Sequence, residues 1–175
     1  NGFLTALSLH GMKRSHEVTP AQREVEAFLH EQRVQNARIQ VVRMTGEWEL
    51  RTLGAGDEGV VFTDGNRVYK YFDRRKSRDS VRGLSFLKSQ VGAWKGTRVL
   101  YPLLDFIEEG IHALLIYPYE PGNPYRGGHG SDLVRLIQEC REMGIACRNI
   151  HPDNLIVTEK GLRLIDYGSD IRPFE

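Results

Sequence analysis

The sequence predicts an α+β protein, in which an antiparallel sheet with one main helix is followed by a smaller part that contains a helix and a hairpin. Three observations support this prediction. Short apolar runs between residues 48 and 117 are separated by turn sequences, of which Thr63-Asp64-Gly65-Asn66 is the clearest hairpin signal. Apolar stripes at helical spacing occur around residues 20–36, 80–91 and 131–143. A second pair of apolar runs near the end of the chain predicts another hairpin.

Composition limits the class of protein. The 175 residues suit one domain or slightly more, with 40% hydrophobic and 27% charged residues, as in soluble globular proteins. A net charge of +1 gives no overall attraction to nucleic acid or membrane, and the apolar runs are too short to span a bilayer. Cys140 and Cys147 lack metal-type spacing, so we expect reduced thiols in a cytoplasmic protein. Because the chain opens on Asn1 rather than Met, we expect it to be cut or to belong to a longer polypeptide.

The first 47 residues are predicted to hold an arm, a helix and a strand. Residues 1–18 have no clear period, and we expect a loosely ordered arm. Thr19 and Pro20 give a helix start with Thr as N-cap and Gln22 three residues later. The apolar stripe of this helix consists of Val25, Phe28, Leu29 and Val34. We expect the stripe to pack against the back of the sheet, the helix to end near residue 36, and Ile39 to Val42 to form a strand, so that residues 19–47 are a helical extension and a strand.

Residues 48–120 are predicted to form the main sheet. Its strands are expected at 48–53, 60–62, 68–72, 99–106 and 112–117, with a helix at 80–91. The segment Gly54-Ala55-Gly56-Asp57-Glu58-Gly59 joins the first two strands. A G-x-G-x-x-G motif also opens a helix in dinucleotide-binding folds, but here it leads straight into Val60-Val61-Phe62, which predicts a strand. We therefore expect a glycine-rich turn between strands. Its backbone either approaches phosphates closely, or the turn is an ordinary β-turn with no ligand.

Residues 121–175 carry a helix and the second hairpin. After a Gly/Pro linker, Ser131 is predicted to cap a helix that ends at Met143. The residues expected to face inward are Leu133, Val134, Ile137 and Cys140. Two strands follow, at 155–157 and 162–165, with Asn154 just before the first and Asp166 just after the second. An amide oxygen and a carboxylate held side by side in this way are suitable ligands for Mg²⁺.

These motifs, in their order along the chain, resemble those of the protein-kinase-like superfamily. The stretch 147–154 (Cys-Arg-Asn-Ile-His-Pro-Asp-Asn) resembles the H-R-D-L-x-x-x-N catalytic loop, and Asp166-Tyr167-Gly168 resembles D-F-G. Within it, Ile150-His151-Pro152-Asp153-Asn154 looks like the L-H-P-x-N version of aminoglycoside- and choline-kinase-like enzymes. The resemblance covers residues 48–168. It implies a bilobal fold with an antiparallel N-lobe at 48–120 and a truncated, mostly helical C-lobe at 121–175.

The resemblance also implies a site for ATP and Mg²⁺ between the lobes, with a role for each matching residue. The glycine loop would cover the phosphates, Lys70 would hold the α and β phosphates, and Asn154 and Asp166 would bind the metal. The residues implied in cofactor binding are Gly54, Gly56, Gly59, Lys70 and Tyr119, and those implied in catalysis are Lys70, Asn149 and Asp166. Tyr119 is the expected hinge donor to adenine because Pro118 and Pro121 have no backbone N–H. Ile116 would lie close to the gatekeeper position.

Two departures from the family pattern bear on activity. Asn149 stands where the family has its catalytic Asp, and an amide cannot accept the substrate hydroxyl's proton as a carboxylate can. The helix after Lys70 has no Glu to pair with it, and Gln90 is the nearest polar substitute by spacing.

Three functions stay open. One is a kinase that transfers phosphate from ATP to a hydroxyl of a protein or small molecule, weakened at Asn149, with Asp153 or His151 as a surrogate base. The second is a pseudokinase, a nucleotide-binding module that regulates or scaffolds a partner protein. The third is a β-rich interaction domain whose motifs are accidental. The motifs define neither the phosphoryl acceptor nor the partner.

Overall fold

A computed structural model describes residues 18–56, 59–73, 75, 78–148, 150–165, 167 and 171–174, with backbone alone for 78–82. The described residues form a mixed α+β architecture with a five-stranded antiparallel sheet and three helices. The helices are α1 (Pro20–Thr45), α2 (Arg78–Ser89) and α3 (Gly130–Glu142). The strands are β1 (Arg51–Ala55), β2 (Gly59–Thr63), β3 (Arg67–Asp73), β4 (Asp105–Glu109), β5 (His112–Pro118), β6 (Gly122–Pro124), β7 (Ile145–Cys147), β8 (Leu155–Thr158), β9 (Gly161–Leu164) and β10 (Ile171–Pro173).

The main sheet has the strand order β1-β2-β3-β5-β4, and all neighbouring strands are antiparallel. The predicted β2–β3 hairpin is confirmed, with the Asp64 carboxylate accepting the N–H groups of Asn66 and Arg67, each at 2.8 Å. Side chains alternate between the two faces. Phe62 and Tyr69 therefore pack on the face covered by α1, which we call the outer face. Their neighbours Val61 and Lys70, which are cross-strand partners, occupy the opposite, inner face.

Helix α1 begins as predicted but extends further. Thr19 and Gln22 form the capping box, with the Gln22 N–H donating to Thr19 Oγ1 at 3.2 Å. The helix continues to Thr45 and ends at Gly46, whose φ is 78°, so the predicted strand at 39–42 is wrong. Ala37 and Val41, four residues apart, are buried against the outer face of the sheet. This tertiary burial favours helix over the β preference of the neighbouring branched residues.

The predicted packing stripe of α1 is confirmed only at Val34, which packs against the core on the outer face. Val25, Phe28 and Leu29 are 52%, 57% and 47% exposed. Contact with the sheet comes instead from the second half of the helix, through the buried Ala37 and Val41. The first half of α1 therefore presents its apolar residues on the surface of the described part of the chain.

The segment before β4 is not the strand that was predicted from residue 99. The Glu139 carboxylate, 1% exposed, accepts the N–H groups of Arg98, Val99 and Leu100, at 2.5, 3.0 and 2.9 Å. These donors are satisfied by a side chain rather than by a neighbouring strand, so the regular pairing of β4 starts only at Asp105.

The region after residue 120 differs from its prediction as mostly helical. Its described residues contain one helix, α3, and five short strands arranged as β6-β8-β9 and β7-β10 sheets. The predicted β8–β9 hairpin is confirmed. Ser131 does not cap α3, because the N-cap is His129 and makes no side-chain capping bond. Val134 and Ile137 face outward, 56% and 46% exposed, because the helix buries Leu136 and Glu139 instead.

Candidate functional site

A cleft of about 790 Å³ lies between the inner face of the main sheet and the β6-β8-β9 sheet. Its roof is the β1–β2 turn, its side is the segment that leads from β5 into β6, and its floor comes from β8 and the residues around the second hairpin. The residues that line it are Leu53, Gly54, Ala55, Gly56, Gly59, Val61, Val68, Lys70, Tyr101, Tyr117, Pro118, Tyr119, Glu120, Pro121, Gly122, Asp153, Ile156 and Ile165. The walls are mainly apolar, with charged groups at Lys70, Glu120 and Asp153.

The structure brings most of the predicted site residues to this one cleft. The predicted site residues that line the cleft come from three separate parts of the chain and are Gly54, Gly56, Gly59, Lys70 and Tyr119. Asn154 is buried directly beside the lining residue Asp153, and its C=O accepts the Ile165 N–H at 2.9 Å. Asn149, Asp166 and Gly168 lie outside the described residues, so the predictions made for them stay predictions.

The three roof glycines differ in whether the fold requires them. A Cβ at Gly59 would lie 2.3 Å from the Tyr71 carbonyl oxygen, so close packing of β2 on β3 excludes any side chain there. An added Cβ at Gly54 or Gly56 meets nothing within 4 Å among the described residues, and neither has a positive φ. Gly54 pairs with Val61, so a side chain at 54 would point into the cleft. The folded chain alone does not require glycine at Gly54 and Gly56.

Lys70 lies on the inner face, 4% exposed, with its ammonium inside the cleft. Nζ donates to the Tyr167 C=O at 3.1 Å and lies 5.3 Å from the centre of the Phe72 ring. The substitute partner Gln90 is engaged elsewhere, because its Oε1 accepts the Trp94 indole N–H at 3.2 Å.

Two residues at the side of the cleft differ from their predicted roles. The Tyr119 N–H donates to the Asn66 C=O at 2.9 Å, so it is not directed at a ligand, although Tyr119 lines the cleft. The residue at the back of the cleft is Tyr117, whereas Ile116 packs on the outer face with α1. A shift of one residue along a strand exchanges the two faces, which explains the second error.

A salt bridge ties this side of the cleft to its floor. Arg163 donates to both Glu120 oxygens, at 3.1 and 3.3 Å, with only 11% and 21% of the two side chains exposed. Burial by itself raises the pKa of the Glu120 carboxyl, but the hydrogen bond and charge of Arg163 outweigh it and the pKa is lowered. Glu120 is therefore an ionised carboxylate that lines the cleft and is paired with Arg163.

Tyr101 and Tyr117 line the back of the cleft, and Tyr167 is buried against Tyr117, with ring centroids 5.7 Å apart. Tyr117 donates to the Ile165 C=O at 3.2 Å and Tyr167 to the Tyr101 C=O at 3.1 Å. Burial raises the pKa of Tyr167 well above its usual value, and burial with the nearby Glu120 carboxylate raises that of Tyr101. Both are neutral phenols. Tyr101 Oη is buried and makes no hydrogen bond to the described residues.

The loop before β8 places a second carboxylate at the cleft. Pro152–Asn154 form a single 3₁₀ turn, in which His151 Nδ1 accepts the Asp153 N–H at 3.3 Å. Asp153 lines the cleft and its side chain is 89% exposed. Among the described residues no group of three or more His, Cys, Asp or Glu side chains could hold a metal ion. A metal site at Asn154 and Asp166 depends on a residue outside that set and stays a prediction.

Sequence reasoning missed several contributors to the site. It gave no role to Tyr101, Ile156 or Arg163, because strand alternation identifies the lining face only once the pairing is known. It did note Tyr117, but assigned the gatekeeper position to its neighbour.

Two further findings concern features outside the cleft. None of the helices in the described ranges has the length and apolar character needed to cross a membrane. Comparison of the sequence with protein families found no family model that matches it, and comparison with curated proteins found no match either.

Proposed function

We propose that this chain is a bilobal, kinase-like domain that binds ATP with Mg²⁺ in the cleft. The observation that carries the proposal is the convergence of Gly54, Gly56 and Lys70 with the β5–β6 connection on a single cavity. The sequence motifs predict these same groups. In this proposal the main sheet with α2 forms the N-lobe, and residues 121–174 form the small C-lobe.

The size and chemistry of the cleft fit a nucleotide. A volume of about 790 Å³ lies within the range of small-molecule and cofactor sites, about 300–1,000 Å³. The apolar walls suit a purine, and the buried ammonium of Lys70 suits the phosphates. A methyl group at position 54 would occupy the space under the roof, so glycine there has a clear reason if phosphates approach the backbone closely.

The base would be held by the connection between the lobes, but not by the group first predicted. Ile116 C=O accepts the Leu104 N–H at 2.8 Å, whereas the Tyr119 N–H faces β3. Pro118 and Glu120 both line the cleft, so the Pro118 C=O and the Glu120 N–H would be the backbone groups that meet the base. These two groups are the acceptor and donor that an adenine edge requires.

Asn154 and Asp166 would hold Mg²⁺, which would neutralise charge on the phosphates. The bond between the Asn154 C=O and the Ile165 N–H supports this pairing, because it fixes the residue before Asp166 against Asn154. Lys70 would orient the α and β phosphates from the sheet side.

Phosphoryl transfer to a hydroxyl is the reaction that this arrangement would perform, at a reduced rate. Asn149 removes the usual base, and loss of a general base costs about 10²- to 10⁴-fold. Asp153 is the carboxylate on the described cleft surface that could accept the proton. A pseudokinase that binds nucleotide without turnover is the second candidate. Asn149 and the engagement of Gln90 with Trp94 favour it.

Binding is tested by thermal unfolding and calorimetry with MgATP. A ligand at 100 times its Kd stabilises the folded state by about 2.7 kcal/mol, so we expect a clear rise in Tm. Asp166→Ala, or removal of Mg²⁺ with EDTA, should abolish most of this rise. If MgATP causes no shift in the parent protein, the nucleotide proposal is wrong and the interaction-domain function remains.

Turnover is tested separately by release of phosphate from ATP. If the domain is a weakened kinase, Asn149→Asp should increase the rate and Asp153→Asn should lower the residual rate of the parent. Binding without turnover in both the parent and Asn149→Asp would favour the pseudokinase.

A further inference from the structure

Helix α1 contacts the roof of the cleft through two arginines. The Arg33 guanidinium donates through Nη2 to the Gly56 C=O at 2.5 Å. Five residues later, Arg38 donates to the Leu50 C=O and to Thr52 Oγ1, the latter at 2.8 Å. The helix thus makes hydrogen bonds to the chain before β1, to β1 itself and to the glycine turn.

The base of this contact is rigid. Arg38 also lies 5.1 Å from the centre of the Phe62 ring, and Ala37 and Val41 are buried against the outer face of the sheet. The helix therefore cannot shift along the sheet without losing buried contacts. Arg33 projects from this fixed support to the edge of the roof.

Gly56 is the point of the roof where such a contact has most effect. Its N–H donates to the Gly59 C=O at 2.9 Å, and its C=O is the acceptor for Arg33. Glycine has more backbone freedom than any other residue, so an external bond to its carbonyl restricts rotation of the backbone at Gly56. Both backbone groups of Gly56 are thereby fixed.

We infer that Arg33 is a positioning residue that holds the glycine turn over the nucleotide. This inference rests on the proposed function, and adds to it that α1 sets the affinity for MgATP without touching the nucleotide. Helix α1 precedes the region of kinase resemblance, so this role does not follow from the family pattern. Binding of a nucleotide to a preset turn loses less conformational freedom than binding to a mobile one.

The test combines two measurements on Arg33→Ala, Arg33→Lys and a control. Hydrogen exchange of residues 53–62 is followed by mass spectrometry without nucleotide, and MgATP affinity is measured by calorimetry. Arg43→Ala is the matched control, because Arg43 is on the same helix and forms a surface ion pair with Glu109 at 2.7 Å. The melting temperature without nucleotide should be the same for all variants within about 2 °C.

We expect Arg33→Ala to speed exchange in residues 53–62 and to weaken MgATP binding about tenfold, with Arg33→Lys intermediate and Arg43→Ala like the parent. Unchanged exchange in Arg33→Ala would overturn the contact as a restraint on the turn. Faster exchange with unchanged affinity would overturn its role in nucleotide binding. If the parent itself fails to bind MgATP, the proposed function is wrong and this role falls with it, whereas the exchange result still reports on the restraint.

Discussion

Replacement of Lys70 by Met tests whether this lysine binds a ligand or stabilises the fold. Met has a similar length and no charge, so Lys70→Met keeps the packing on the inner face and removes the ammonium from the cleft. If Lys70 acts on phosphates, the change should weaken nucleotide binding strongly and alter the stability of the ligand-free protein little.

The structure gives the size of both effects. In the free protein, Lys70→Met leaves the Tyr167 C=O without this donor, which costs about 1–3 kcal/mol. It also removes the cost of burying an ammonium that is 4% exposed, which is several kcal/mol in the opposite direction. We therefore expect the free energy of unfolding to change by less than about 2 kcal/mol. A hydrogen bond to a charged phosphate contributes about 1.5–3 kcal/mol, so the Kd for MgATP should rise about 10- to 150-fold.

Urea unfolding measures the first effect and isothermal titration calorimetry the second. Lys88→Met is the control. Lys88 is exposed on α2, does not line the cleft, and forms an ion pair with Glu108 in which Nζ and Oε2 are 2.5 Å apart. Parent-like affinity in Lys70→Met would refute the assignment of Lys70 to the phosphates. A loss of more than about 4 kcal/mol of stability would instead identify Lys70 as a structural group.

Four further substitutions test the roof and the buried carboxylate. Gly54→Ala should raise the free energy of unfolding by about 0.4–1 kcal/mol and weaken MgATP binding, since the methyl enters open cleft space. Gly59→Ala should lower stability by more than about 2 kcal/mol because of the Tyr71 carbonyl; equal effects at both positions in urea unfolding would contradict this. Glu139→Ala should lower stability by about 3–5 kcal/mol, because three N–H groups lose their acceptor. Glu142→Ala, exposed on the same helix, should change it by less than about 0.5 kcal/mol, and comparable losses would show that the N–H groups find other acceptors.

The sequence predicted the features that local chemistry determines. The Thr19 cap, the Asp64-Gly65 turn and the β8–β9 hairpin depend on residues within four positions of each other, and all are present. The resemblance to kinase motifs implied a common site for Gly54, Gly56, Gly59 and Lys70, and these residues line one cleft.

The errors arise where a distant partner decides the outcome. Helix α1 continues past residue 36 because the sheet buries Ala37 and Val41. The strand expected from residue 99 does not form there, because the N–H groups of this segment donate to the carboxylate of Glu139, some 40 positions later in the sequence. The Tyr119 N–H was expected to face a ligand but is used by Asn66, across the β3–β5 register. No local pattern contains this information, because each depends on chain segments that meet only in the folded state.

The connection between β5 and β6 limits how the cleft can open. Only three residues separate the two strands, and Pro118 and Pro121 fix φ at either side of it. Arg163 anchors Glu120 from below, and Arg51 donates to Tyr119 Oη at 2.9 Å from above. Bending at this junction would have to break both contacts at once. The junction therefore resists a change in the separation of the cleft walls, and a molecule that enters would have to fit the space already present.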